Sequence, residues 1–369
     1  MKKLSMLFYL VLFAVITTAC GGNNDGGSST QNTTTTVVSN NLQNISNNFT
    51  PSSLDYSSSI NKPNTFMYQK SNGDPCEGLD LFACQPVLLR LYLDMGQMFL
   101  DSAREIVSEI GTNIGDVPDG GSGTASEGDE TIDYSKTSST DFSILMKKSG
   151  SPAGYVDVNG NQYTILLDLA NMPDDSGNSD MQTGKVEIDV TYTDDATWSI
   201  TVFIAGMACQ ANDPRAPERV SIQISRANGL WTGKAMLYNG RWFSGISDTS
   251  TPSCEIAESD AISMNMYTDF VGNNTASKVS VYMMSRTKSN LSDITDFGMD
   301  NLSTNFGIPF DTSNYGNPFC NSASDLTALW DNDCSSIDTT VGAASYGASS
   351  DWIVPSIFYQ QTITIPTAL

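Results

Sequence analysis

The chain has 369 residues, 16% of them charged, with 18 Lys and Arg against 41 Asp and Glu, a net charge of −23. That balance excludes nucleic acid and anionic lipid headgroups as electrostatic partners, because both need a positive face; we read the charge as serving solubility. Histidine is absent, which excludes a Ser–His–Asp triad, a Cys–His pair and His-ligated zinc.

Lys2 and Lys3 precede an apolar run over residues 4–16, and Thr17-Thr18-Ala19-Cys20 follow. This is the layout of a secretory signal whose apolar stretch is too short to span a bilayer. The segment ending in Cys20 resembles the lipobox of bacterial lipoproteins, with Thr17 where that family usually has Leu. The resemblance implies a diacylglycerol on Cys20, cleavage before it, and acylation of the new amine with a palmitate-type chain. The membrane then becomes a partner through the lipid, since two or three chains hold where one is marginal. Gly21 stands where Asp retains enteric lipoproteins at the inner membrane, so the resemblance points to the outer membrane, facing either the periplasm or the exterior. An ordinary secretory peptide cleaved after Ala19 is the alternative. Either cleavage removes Lys2 and Lys3 and takes the net charge from −23 to −25.

Residues 20–60 are rich in Gly, Asn, Ser and Thr, too polar to offset the entropy of ordering them. They read as a flexible tether of roughly 30 Å reach. The remaining stretch, 61–369, suits a single globular domain. Of 7 cysteines, Cys20 is assigned to lipid. The other six, Cys76, Cys84, Cys209, Cys254, Cys320 and Cys334, form an even set in a secreted chain and read as a disulfide framework. Six cysteines allow 15 pairings; we expect nearest neighbours, Cys76–Cys84, Cys209–Cys254 and Cys320–Cys334. No C-x-x-C spacing supports zinc.

Within the domain, Pro86 opens an expected helix over 86–111, closed by Gly111. Leu88, Tyr92, Met95, Phe99, Ala103, Ile106 and Ile110 recur at helical spacing, and Leu89, Leu93, Leu100 and Val107 widen the stripe. Residues 112–140 are Gly, Ser and acid and read as an exposed loop. From 141 to 288 the period becomes two: Tyr163, Ile165, Leu167 and Leu169 alternate with Gln162, Thr164 and Asp168, and Val186, Ile188, Val190 and Tyr192 with Glu187, Asp189 and Thr191. Strict alternation marks antiparallel strands with one dry and one wet face. Asn159-Gly160, Asp194-Asp195, Asn228-Gly229 and Asn273-Asn274 supply turns, giving eight or nine strands in a meander. Residues 289–369 are less regular, with closing strands expected at 352–358 and 362–365.

The expected class is α+β: a long N-terminal amphipathic helix packed in a curved antiparallel meander, half-barrel-like, with a disulfide-stapled C-terminal extension. In order of elements this is similar to half-barrel carriers of the lipoprotein-localisation type, which hold acyl chains between sheet and helix. No motif matches, so no functional residue carries over.

Chemical motifs are few. Ser285-Arg286-Thr287-Lys288 with Lys148-Ser149-Gly150 resembles penicillin-binding signatures in reversed order, and Asp175-Ser176-Gly177 resembles an aspartic-protease D-S-G without a second copy; chance and a turn account for them. Asp174, Ser176, Asn178 and Asp180, and separately Asp331, Asp333 and Asp338 near Cys334, are oxygen-rich loops that suit Ca²⁺ without fitting an EF-hand. Solvated turns are the preferred account, so no cofactor is assigned. Met207, Met236, Met264, Met266, Met283 and Met284 on or beside strands fill core or line an apolar pocket. The expectation is a non-enzymatic, lipid-anchored envelope protein with a binding or surface-interaction role toward an unknown protein or apolar small molecule. An acyl-chain carrier and a carboxylate-based hydrolase are the alternatives.

Overall fold

The computed structural model describes residues 33–54, 81–114, 117–171, 183–208, 218–243, 261–286, 297–298, 319–322 and 361–369. Among these residues two α-helices come first, α1 (Thr33–Asn47) and α2 (Leu81–Ile114), with a short 3-10 turn at Ser52–Leu54 between them. Eleven long strands follow: β1 (Ser122–Glu127), β2 (Glu130–Ser138), β3 (Asp141–Lys148), β4 (Ser151–Asn159), β5 (Gln162–Asp168), β6 (Thr183–Asp194), β7 (Thr197–Ala208), β8 (Glu218–Ala227), β9 (Leu230–Phe243), β10 (Ala261–Gly272) and β11 (Ala276–Arg286). Two short ones complete the described set, β12 (Phe297–Gly298) and β13 (Phe319–Ser322). All belong to one antiparallel sheet in which β1 to β12 lie side by side in chain order, with β13 paired to β11.

This overturns the α+β half-barrel expectation. The described chain is mostly one antiparallel sheet, and no single long N-terminal helix organises it. The physical reason lies in α1. Val38, Leu42 and Ile45 are buried on one face of the helix, and Phe49, just past its end, is buried with them. The segment that reads as tether thus supplies a second helix, and the two helices pack on each other and on one face of the sheet. On α2, Leu89, Leu93, Leu100 and Val107 are buried together with Phe99, Ala103, Ile106 and Ile110 of the expected stripe, while Met95 is only half-buried. Polar contacts close the rim of the pair. Ser46 Oγ donates to Asp101 Oδ1 at 2.7 Å, Gln97 Nε2 donates to the Ser46 carbonyl at 2.9 Å, and Arg104 donates to the side chain of Gln43.

The sheet also begins earlier than its composition suggests. Residues read as an exposed loop form β1 and β2, paired from Ser122↔Ser135 to Glu127↔Glu130. Within β2, Ile132 is buried and Asp133 is not, so the alternation is present but short. The four expected turns all join consecutive strands. At Asn228-Gly229 both residues have positive φ, 53° and 76°, the geometry a two-residue hairpin requires and Asn-Gly tolerates. Ser149-Gly150, with φ of 50° and 81°, is the same device, which accounts for Lys148-Ser149-Gly150 as a turn.

The inner sheet face carries Phe142, Ile144, Val156, Ile165, Val186, Ile188, Val202, Ile222, Ile224 and their neighbours into one core with the helices. The layer is filled where α2 crosses β8. A Cβ built on Gly96 would lie 3.0 Å from Ile222 Cδ1 and 3.2 Å from Phe49 Cζ, so at that point there is no space for an acyl chain.

Candidate functional site

The outer face of the sheet is built by the other half of each alternation. Strand register lines its side chains into rows that cross the strands. One row runs Ser135, Ser143, Asp157, Thr164, Asp189, Thr201, Gln223, Lys234 and Asp269 from β2 to β10. Neighbours in it are about 4.8 Å apart along the ladder, close enough for hydroxyls to reach carboxylates. Ser143 Oγ donates to Asp157 Oδ1, and Thr164 Oγ1 donates to Asp189 Oδ1 at 2.7 Å. Beside this row Thr124 Oγ1 donates to Asp133 Oδ1 at 2.6 Å, while Lys147 Nζ sits 2.7 Å from Asp133 Oδ2. The hydrogen bond from Lys147, then that from Thr124, holds the Asp133 carboxyl below its ordinary value of 3.8.

The next row is different in kind. Leu145, Tyr155, Leu166, Glu187, Phe203, Ser221 and Met236 face one another across β3 to β9. Leu145 is fully buried, Phe203 is 1% exposed and Leu166 is 7% exposed, although all three lie on the face expected to be wet. What covers them is the segment 361–369. Ile363 and Ile365, each 6% exposed, complete a cluster with Leu145, Leu166 and Phe203, flanked by Tyr155, Ala205 and Met236. Two cations from the following row, Lys185 on β6 and Arg219 on β8, hold the segment by its main chain. Lys185 Nζ donates to the Ile363 carbonyl at 3.4 Å and Arg219 Nη1 donates to the Gln361 carbonyl at 2.5 Å. The segment thus forms a strap laid over the sheet. Residues 362–365, expected as a closing strand, pair with no strand among the described residues: Ile363 and Ile365 face the trough and Thr362 and Thr364 are set away from it, while Pro366 offers no N–H to a ladder.

Glu187 stands in the trough row and accepts a hydrogen bond from Gln361. Burial, then the neighbouring Asp189, pushes its carboxyl above the ordinary 4.5, and the Gln361 contact pulls it partly back. A carboxyl with a raised folded-state pKa binds its proton more tightly in the folded protein. Stability therefore rises as pH falls through the window between 4.5 and the raised value, and declines as pH climbs back through it. Asp133 acts in the opposite sense and lower down: its contribution is present above 3.8 and is lost as pH falls through its depressed value. Urea titrations of wild type and Glu187→Gln from about pH 4 to 8 should show the wild-type slope above 4.5 flattened in the variant. Equal slopes would mean that Glu187 does not titrate with folding.

Among the expected site residues, Cys20, Cys76, Cys209, Cys254 and Cys334 lie outside the described residues, as do Asp331, Asp333, Asp338 and the loop from Asp174 to Asp180. Cys84 lies on α2 and Cys320 on β13, opposite Lys278 of β11; each expected disulfide has at least one member outside the described set. The trough goes beyond the sequence-based expectation, yet it has a signal in the chain. Ile144-Leu145-Met146, Ile165-Leu166-Leu167 and Val202-Phe203-Ile204 are apolar triplets that break the alternation, and each middle residue lies in the trough. Among the described residues, no helix is long and apolar enough to cross a membrane, and no three Cys, Asp or Glu are grouped to hold a metal ion. Comparison with family models, with curated proteins and with solved structures gives no match for this chain.

Proposed function

We propose that this chain is a lipid-anchored bacterial envelope protein with a non-catalytic binding role, and that the outer face of its sheet is the binding surface. The observation that carries the reading is the inequality of the two faces. One is sealed by α1 and α2; the other presents regularly spaced hydroxyls and carboxylates on strands fixed by a continuous ladder. Groups held on strands of a packed sheet keep their spacing without further ordering, and such preorganisation lowers the cost of recognition. The Cys20 segment supplies the address and the sheet supplies the surface.

Two measurements test it. Cells fed a palmitate analogue should label the wild-type chain and not Cys20→Ser, which should appear in the medium or the soluble periplasm; an unlabelled wild-type chain overturns the anchor. Purified Cys20→Ser protein should co-sediment with sacculi of the host without releasing soluble fragments. Asp157→Lys/Asp189→Lys should lower that association at least about tenfold, the effect expected of reversing two charges at a contact surface. Release of fragments from sacculi, or unchanged association of the variant, overturns the binding reading.

A further inference from the structure

The strap is held in a way that a foreign segment could reproduce. It contributes two apolar side chains at i and i+2, Ile363 and Ile365, two main-chain carbonyls, those of Gln361 and Ile363, and one polar side chain, Gln361, which donates to Glu187. Nothing in the carbonyl contacts depends on the strap's own side chains. The trough beneath is preformed by the sheet register, since Leu145, Leu166 and Phe203 are fixed on β3, β5 and β7 by pairing in which the strap takes no part. Leaving the trough would break no rung of the ladder. It would expose an apolar floor of a kind that soluble proteins seldom leave uncovered.

We infer that the trough is a binding site for extended peptides, and that the strap is its resident, displaceable occupant. The ligand class follows from what the strap shows to fit: an extended segment with aliphatic residues at alternate positions, its carbonyls facing Lys185 and Arg219. This is recognition by main-chain hydrogen bonds plus alternate side-chain pockets, here across the face of the sheet. The inference deepens the binding reading by naming one site and one ligand class. It is separable from that reading, because the Asp157 and Asp189 row and the anchor at Cys20 are tested without it.

The probe is the synthetic peptide Gln-Thr-Ile-Thr-Ile-Pro-Thr-Ala-Leu, the sequence of residues 361–369, carrying a fluorophore. The full-length Ile363→Asp/Ile365→Asp chain, in which the strap is expelled, should bind it saturably. Wild type should bind at least about 30-fold more weakly. A tethered segment competes at an effective concentration on the order of 1 mM, which shifts a peptide affinity of roughly 10–30 µM by about that factor. Lys185→Ala/Arg219→Ala, introduced into the strap-expelled chain, should weaken binding about five- to tenfold while leaving the apolar floor intact. A peptide with both isoleucines replaced by Asp should not bind. Circular dichroism confirms that each variant is folded before binding is scored. Absence of peptide binding to a folded strap-expelled chain overturns the inference, as does equal binding by wild type. A wild-type dimer that disappears in Ile363→Asp/Ile365→Asp would make a second copy's strap the occupant, and would overturn the assignment to foreign peptides.

Discussion

Truncating Phe49 or Leu42 to Ala is expected to destabilise the protein by about 3–5 and 2–5 kcal/mol respectively. A flexible tether predicts the contrary, a change within about 0.5 kcal/mol, as for exposed positions away from any packed feature. Both side chains are essentially without exposure, 1% for Phe49 and 0% for Leu42. Phe49 also lies at a tight contact between α2 and β8, because its Cζ is 3.2 Å, and Ile222 Cδ1 3.0 Å, from where a Cβ on Gly96 would stand. Removing the ring therefore leaves a cavity between α1, α2 and β8 that rigid neighbours cannot fill, and residual cavity volume adds to the lost transfer free energy.

Polar contacts keep α1 in register over the sheet. Asn41 Nδ2 donates to Tyr163 Oη at 2.8 Å, Asn44 Nδ2 donates to Asp195 Oδ1 at 2.8 Å, and Trp231 Nε1 donates to the Asn48 carbonyl at 2.8 Å. The measurement is urea unfolding of Cys20→Ser protein, with and without each truncation, read by fluorescence and by circular dichroism. A midpoint shift at constant slope confirms a loss of stability. An unchanged midpoint for both variants would mean that α1 does not belong to the cooperative core.

The parts of this fold that are legible in the sequence are those in which local pattern and global burial agree. From β4 to β11 the strands alternate apart from the middle residues of Ile165-Leu166-Leu167 and Val202-Phe203-Ile204, and the turns at Asn159-Gly160, Asp194-Asp195, Asn228-Gly229 and Asn273-Asn274 carry Gly, Asn or Asp, so the antiparallel meander can be read from the residues alone. The helix over 81–114 is readable for the same reason, apart from its ends. Three parts are not. In α1 and the turn after it, Val38, Leu42, Ile45 and Phe49 are set among Thr, Ser and Asn, and composition masks the period. Intrinsic propensity disfavours that helix, so tertiary packing decides it. In β1 and β2 the small and acidic residues resemble loop, and pairing along β3 overrides that tendency. The trough is hidden when alternation is followed along the inner face alone. Leu145, Leu166 and Phe203 occupy positions where a polar residue is expected, and each is an exception that marks a second covered surface. A buried partner from 361–369 does not follow from spacing, since contacts so far apart in sequence leave no local trace.

Gly233→Ala is expected to destabilise by about 1–3 kcal/mol, against the ordinary gain of roughly 0.5–1 kcal/mol when Ala replaces Gly within a strand. Gly233 on β9 is paired with Phe270 on β10. A Cβ at this position would stand 2.3 Å from Phe270 Cε1, 2.7 Å from Cζ and 2.8 Å from the Gln223 carbonyl oxygen. The ring thus fills the space a side chain would take, an aromatic laid over a strand glycine across the ladder. Phe270 is 3% exposed and packs in the main core, so it cannot swing clear without vacating that core; Phe270→Ala should itself cost about 3–5 kcal/mol. The two changes should not add. Once the ring is gone its clash with the methyl is relieved, while the Gln223 carbonyl oxygen of β8 still stands 2.8 Å away. The double variant should therefore be more stable than the sum of the single losses by about 0.5–3 kcal/mol, the range for residues in direct contact. Additivity within about 0.3 kcal/mol, or a neutral Gly233→Ala, would show that the ring has another place to go and that β9 and β10 are less tightly paired than their register implies.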